Sequence, residues 1–331
     1  MSKIGITSTL PIEVIYAAGH KPIDLNNIFI GNKNPDNLVN EAECQGFPQT
    51  ICCWTKGVFS AALKSGIKEV ASVLQGDCIN SPELSQVMEL YGIKIYPFSY
   101  PSKPDFKALS IDIKNFAESF GVSIEKAEVF KVKLDEIRLL VHLIDEMTYK
   151  EGKITGFENH LYLVSSSDMN GDLKNFEKEV QKFIKDVSSR KPVNFSVRLG
   201  YIGVPPVCPD IYDYVESIEG RIVFNEVQRQ FSMPYKTDNI VTQYLKYTYP
   251  YSIDYRIKDI NEQIIERELD GLIHYSQAFC SRQLDDLIFR KKIDKPILTI
   301  EADKPGKINP KNVVKIEAFI DSLIKHKKNF F

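Results

Sequence analysis

The chain has 331 residues, 43% of them hydrophobic and 26% charged, which is enough apolar material for two packed globular domains. Its 42 basic and 44 acidic side chains leave a net charge of −2, so no global field draws it to nucleic acid or to an anionic membrane surface. No apolar run reaches the ~18 residues that a spanning helix needs, and no continuous apolar stretch opens the chain as in a secretory signal, so a cytoplasmic protein is expected.

In chain order, a short helix is expected over 11–18, after Ser8-Thr9, and a helix over 52–64 with Lys56 and Lys64 on its polar side. A buried strand follows over 69–74. Ser81-Pro82-Glu83 carries an N-cap, a first-position proline and an acid, which together start a helix. A strand is expected over 93–98, a loop over 100–104, and continuous helix over 106–150. The stretch 154–165 is a short apolar segment with Gly156, and Ser165 to Gly171 reads as a turn. A helix over 172–187 runs into Ser188-Ser189-Arg190-Lys191-Pro192, the best linker. Strand, helix and strand are expected over 196–204, 210–218 and 221–226. A polar and aromatic insert, 229–259, precedes a helix over 260–269. Strand, helix, strand, helix over 272–279, 282–292, 296–301 and 310–325 complete the chain. Strands alternating with helices argue for parallel sheets covered on both faces.

Six cysteines lie at positions 44, 52, 53, 78, 208 and 280. In a reducing compartment they read as metal-binding or catalytic before they read as disulfides. Cys78 and Cys280 end predicted strands, and Cys208 follows a strand and Pro205-Pro206. Ligands bind at the carboxyl ends of parallel strands, so thiols gathered there from distant segments suggest a shared metal centre. Soft sulfur ligands favour iron–sulfur chemistry over hard cations. Structural zinc usually takes paired, spaced cysteines, whereas only Cys52 and Cys53 are close here. The competing reading of any one cysteine is a small buried hydrophobe. His274 reads as a hydrogen-bonded core residue, and Lys325-His326-Lys327-Lys328 as a solvated helix end. The tyrosines at 244, 247, 249, 251 and 255 either line a pocket or pack the insert. Glycine-rich dinucleotide and P-loop signatures and a nucleophile elbow are absent.

Several segments together resemble a known family. They are 10–22, 46–57 with Cys52-Cys53-Trp54, Gly76-Asp77-Cys78, 224–234 with Glu226-Val227-Gln228-Arg229, 274–282 with Gln277-Ala278-Phe279-Cys280-Ser281-Arg282, 296–303, and Ile316-Glu317-Ala318-Phe319. The chain resembles the iron–sulfur subunits of the 2-hydroxyacyl-CoA dehydratase superfamily. Around Trp54 and Gln228 it is most similar to the double-cubane cluster branch. The resemblance implies an α/β fold of two domains, each a flavodoxin- or Rossmann-like parallel sheet flanked by helices, with the cluster in the crevice between them. The corresponding division is 1–150, a connecting segment 151–190, and 191–331.

By the same resemblance, Cys52, Cys78 and Cys280 would hold a [4Fe–4S] cluster. An [8Fe–9S] double cubane needs six thiolates and would add Cys44, Cys53 and Cys208. The implied activity is that of an oxygen-sensitive, low-potential reductase acting on a small molecule. It would work as a homodimer, charged by a separate ATP-hydrolysing iron–sulfur activator. The alternatives are a dehydratase subunit with a single cubane, and a non-catalytic electron or cluster carrier. Gln228, Gln277 and Arg282 are expected to act beside the metal, with Glu226, Arg229 and Ser281 as further polar neighbours. The bland reading of these six is a set of surface salt bridges.

Overall fold

Runs such as Val70-Ala71-Ser72-Val73 and Leu272-Ile273-His274-Tyr275 bury side chains on both faces, which suits strands in the middle of covered parallel sheets. The computed structural model describes residues 1–328 and contains two such sheets. The first has the order β2-β1-β3-β4, with β1 Lys3–Ile6, β2 Lys21–Asp24, β3 Glu69–Gln75 and β4 Lys94–Ser99. The second repeats that order as β6-β5-β7-β8, with β5 Val197–Ile202, β6 Gly220–Asn225, β7 Gly271–Gln277 and β8 Ile297–Ala302. Every pairing is parallel, and helices cover the sheets, as the alternating pattern predicts. In both sheets the chain winds in opposite directions from the central pair, so a switch point lies at the carboxyl ends of β1 and β3, and again at those of β5 and β7.

The cores interlock. Tyr244, Tyr247 and Tyr251 from the aromatic insert pack with Ile4, Ala71 and Val73 of the first sheet. In the other direction, Phe29, Leu38, Cys53 and Ala61 pack with Val197, Tyr201 and Ile273 of the second. A fully buried Ile, Leu or Phe contributes about 1.5–3 kcal/mol, so these exchanged side chains tie the two sheets together. No helix among the described residues is long and apolar enough to cross a membrane.

Several sequence expectations need correction. The stretch 106–150 is two helices, Phe106–Ser119 and Ile124–Tyr149. Gly121 turns the chain at φ +67°, and Ser123 caps the second helix. The insert 229–259 holds the helices Glu226–Phe231 and Ile240–Lys246 and the start of Ile253–Glu266. Strands β1 and β2 and the helices Leu25–Ile30 and Pro35–Cys44 were unanticipated, being short and weakly patterned. The segment 154–165 is the helix Gly156–Ser165, started by a Thr155–Glu158 capping box. Lys56 is buried rather than solvated, because its ammonium meets Glu43 at 2.7 Å and the Gln49 carbonyl at 3.1 Å.

Gly203 leaves β5 at φ +104°, and a Cβ there would lie 2.5 Å from the Tyr275 carbonyl oxygen. Only glycine fits both demands. Gly203→Ala is expected to destabilise the protein by about 1–3 kcal/mol, read as a lower denaturant midpoint. An unchanged midpoint would show that this loop is not held as described.

Candidate metal and substrate site

Both switch points open onto one cavity of about 440 Å³. Thr7, Ser8 and Thr9 after β1, Asp77 and Cys78 after β3, Val204 and Pro205 after β5, and Cys280 and Arg282 after β7 all line it. Cys52 and Trp54, at the start of the helix Cys53–Lys64, close one side. Two strand ends and one helix start thus bring three thiols from distant segments to one cavity.

Their environments differ. Cys52 is the N-cap of its helix, and its thiol is held below the usual range. The causes, in order of weight, are a hydrogen bond from Cys53, the opposing effect of burial, the Trp54 and Thr55 backbone N–H groups, and the Lys56 charge. Cys78 is exposed on the cavity wall, yet desolvation and then the Asp77 carboxylate push its thiol up to about 12. The Asn80 N–H donates to Cys78 Sγ at 3.4 Å. Cys280 is half-buried and raised, first by burial, with the Arg282 N–H and guanidinium opposing. Cys52 and Cys280 both act electrostatically on Cys78, so the three sulfurs share one field.

The other thiols lie outside the cavity wall. Cys53 donates to Cys52, which leaves its own pKa far above the usual thiol value. It packs in the second sheet's core with Cys208. Cys208 is buried and raised to about 12, by desolvation and then by Asp210. Cys53 and Cys208 both act on the Tyr275 hydroxyl. Cys44 is exposed at the end of the helix Pro35–Cys44. Its neighbour Glu43 pairs with Lys56 and feels Lys304, while Asp303 acts on Cys53.

The six polar candidates divide evenly. Gln277, Ser281 and Arg282 line the cavity. Gln277 donates to the Ala302 and Asp303 carbonyls at 3.1 Å and accepts from the Tyr275 hydroxyl at 2.7 Å, so its position is fixed. Arg282 donates to the Tyr249 carbonyl at 3.0 Å and lies 4.2 Å over the Tyr249 ring. Glu226, Gln228 and Arg229 are instead buried behind the wall, so neither a cavity role nor a surface role describes them. Glu226 pairs with Arg256, and Arg229 with both oxygens of Asp259 at 3.1 Å. The tyrosine question also divides: Tyr247 and Tyr249 line the cavity, Tyr244 and Tyr251 pack the core, and Tyr255 is 44% exposed. His274 is a core residue, hydrogen-bonded to Asp286 at 2.8 Å, as expected.

Arg282 is the one cation of the Cys280 loop that faces the cavity. Arg282→Ala is expected to lower turnover about 10–100-fold, the usual cost of losing a group that orients a metal ligand. Unchanged turnover would assign Arg282 to holding Tyr249 alone.

Other wall residues were not anticipated. Asp24 caps the helix Leu25–Ile30, accepts from Ser167 Oγ at 2.6 Å, and donates its backbone N–H to the Asp168 carboxylate at 2.7 Å. Burial and the Asp24 charge raise Asp168 to about 7. Asp77 is also raised, by burial above all. His160 projects from the helix Gly156–Ser165. Its only sequence signal was a histidine on the apolar side of a capped helix, which periodicity alone does not distinguish from core.

No group of three or more His, Cys, Asp or Glu among the described residues stands close enough to hold a single metal ion. In an iron–sulfur cluster each thiolate takes its own iron, so the sulfurs stand further apart than ligands sharing one ion. Cys52, Cys78 and Cys280 line one cavity from three separate segments, and as soft donors they are a chemically suitable set for such a cluster. A family model described as 2-hydroxyglutaryl-CoA dehydratase, D-component, matches residues 7–323 of the chain. No curated protein matches it.

Proposed function

The chain belongs to the 2-hydroxyglutaryl-CoA dehydratase D-component family, and from that premise we propose that it is a double-cubane iron–sulfur reductase charged by a separate ATP-dependent iron–sulfur activator. The observation that carries this reading is the pair Cys52-Cys53. The two adjacent thiols are hydrogen-bonded, but they serve different surroundings: Cys52 lines the cavity with Cys78 and Cys280, while Cys53 lies in the same buried core as Cys208, both acting on Tyr275. Cys44 ends the helix Pro35–Cys44, whose Glu43 pairs with Lys56 of the Cys53 helix, and it is proposed as the third thiol of the second set. Two sets of three thiols meeting at one dipeptide suit two joined cubanes.

When bound, the cluster supplies low-potential one-electron chemistry. The chain's own part is to hold and shield. The N–H groups of Trp54 and Thr55 favour the Cys52 thiolate, the form that binds metal. Arg282 gives the cavity a fixed positive charge, suited to an electron-rich or anionic part of the substrate. Val204, Pro205, Val227 and Phe231 keep most of the wall apolar and restrict water. The protein is proposed to act as a homodimer on a small molecule.

Iron and sulfide analysis after anaerobic reconstitution tests the reading. Native protein is expected to carry close to twice the iron of a single cubane, falling to about half in Cys44→Ser and Cys208→Ser. Single-cubane iron in the native chain, unaffected by those two changes, would instead favour a dehydratase subunit. The family description and the three-thiol wall support that second reading. Water elimination from a 2-hydroxyacyl-CoA would then be the activity to measure.

A further inference from the structure

The hydrogen bonds behind the cavity wall form one chain with a fixed direction, and it ends at His160. It starts at the buried ion pair in which Arg267 Nη1 and Nη2 donate to Asp145 at 3.0 and 2.5 Å. Burial opposes the Asp145 charge, but Arg267 prevails and holds the carboxyl below its usual range. An ionised carboxylate can only accept. Asn159 must therefore present Nδ2 to Asp145, at 3.0 Å, which turns its Oδ1 toward Asn225. Asn225 donates to that oxygen through Nδ2 at 2.8 Å and so presents its own Oδ1 to Tyr212. The Tyr212 hydroxyl places its single proton there, at 2.7 Å. Its oxygen remains an acceptor for His160 Nδ1, 3.1 Å away. Gln228 Nε2 approaches the same oxygen as a further donor at 3.4 Å, in agreement with that role.

His160 consequently carries its proton on Nδ1, and Nε2 keeps a lone pair. The ring stacks on Tyr212 at 4.9 Å and lines the cavity, and no described residue is hydrogen-bonded to Nε2. Burial also keeps the imidazole neutral, pushing its pKa down to about 3.

We propose that His160 Nε2 orients the substrate, accepting a hydrogen bond from an O–H or N–H group on the molecule that enters the cavity. The inference rests on the reading of this cavity as the substrate chamber. A neutral lone pair held in place by five linked residues discriminates by chemistry. A hydroxyl meets it as a donor, whereas a carbonyl or carboxylate oxygen would set lone pair against lone pair. A buried acceptor left without its donor also penalises the deoxy counterpart of a hydroxylated substrate.

Two measurements test it. The first needs no ligand: nitrogen-15 NMR of the histidine side chains in the full-length chain, with His160 assigned by signals lost in His160→Gln. The expected result is an Nδ1–H tautomer that stays unprotonated from about pH 8 to about pH 5, and a mixture of tautomers in Tyr212→Phe. A proton on Nε2 in the native chain overturns the relay. The second compares two small probes by calorimetry, the N-acetylcysteamine thioesters of 2-hydroxybutanoic and butanoic acid. The hydroxylated probe is expected to bind about tenfold tighter, a preference that His160→Phe removes. Equal binding of the two, binding of neither, or a preference that survives His160→Phe overturns the orienting role. Neither measurement depends on iron content, so failure of the cluster reading is detected separately.

Discussion

Serine at Cys52, Cys78 or Cys280 is expected to remove the proposed cluster and to cut the turnover that depends on it by more than about 100-fold, beyond the 10–100-fold typical of groups that only support a ligand. Serine keeps the volume but replaces a soft, ionisable sulfur with a hard hydroxyl that stays protonated. Each of the three thiols comes from a different loop, so none has a neighbour able to replace it. Cys53 is next to Cys52, but it faces the second sheet's core rather than the cavity. The fold should survive, because Cys78 is exposed, Cys280 only half-buried, and serine at buried Cys52 keeps the volume and is a good helix N-cap. Iron per folded chain, measured anaerobically, is the readout. Full iron content in any of the three variants would show that that sulfur is not a ligand.

Removing the Glu226 carboxylate is expected to cost about 3–5 kcal/mol, as for other buried ion pairs broken from one side. Glu226 accepts from Arg256 Nε at 2.6 Å, from Arg256 Nη2 at 3.0 Å and from the Gly203 N–H at 2.8 Å. Arg256 also donates to Asp285 at 2.7 Å, just beyond the Cys280 loop. One carboxylate therefore braces the switch-point loop after β5 and, through Arg256, the element after β7. Glu226→Ala leaves a buried guanidinium with a single anion and orphans an N–H, whereas Glu226→Gln keeps an acceptor and should lose less. Burial opposes the Glu226 charge, but Arg256 prevails and its folded pKa is depressed. The stabilisation is thus fully present above the unfolded value of about 4.3 and is lost as pH falls through the folded value. The stability gap between native protein and Glu226→Gln should narrow only below about pH 4.3. A gap independent of pH down to acid unfolding would mean that the charge is not what Glu226 contributes.

The sequence by itself determined the elements whose pattern is local. β3 and β7 are legible because short, mostly apolar stretches such as Val70-Ala71-Ser72-Val73-Leu74 and Leu272-Ile273 end at turn residues. The helix at Ser81 is legible because proline and glutamate follow directly. Alternation of strands and helices then specified covered parallel sheets, the family resemblance implied a pair of them, and strand ends specified where Cys78 and Cys280 would lie. The helix break at Gly121 was also written in the chain, as a glycine followed by a capping serine. Tertiary structure decided what depends on residues far apart. The pattern placed Lys56 on a polar face, but Glu43, from another helix, makes it a buried cation. Glu226, Gln228 and Arg229 sit in a conspicuous polar run, and only their partners Arg256, Tyr212 and Asp259 show that they brace the wall from behind. His160 gains its open lone pair from a relay that begins at Arg267, 107 positions later in the chain (267 − 160). Periodicity reports which face a side chain occupies, and it carries no information about which distant donor or charge will meet it there.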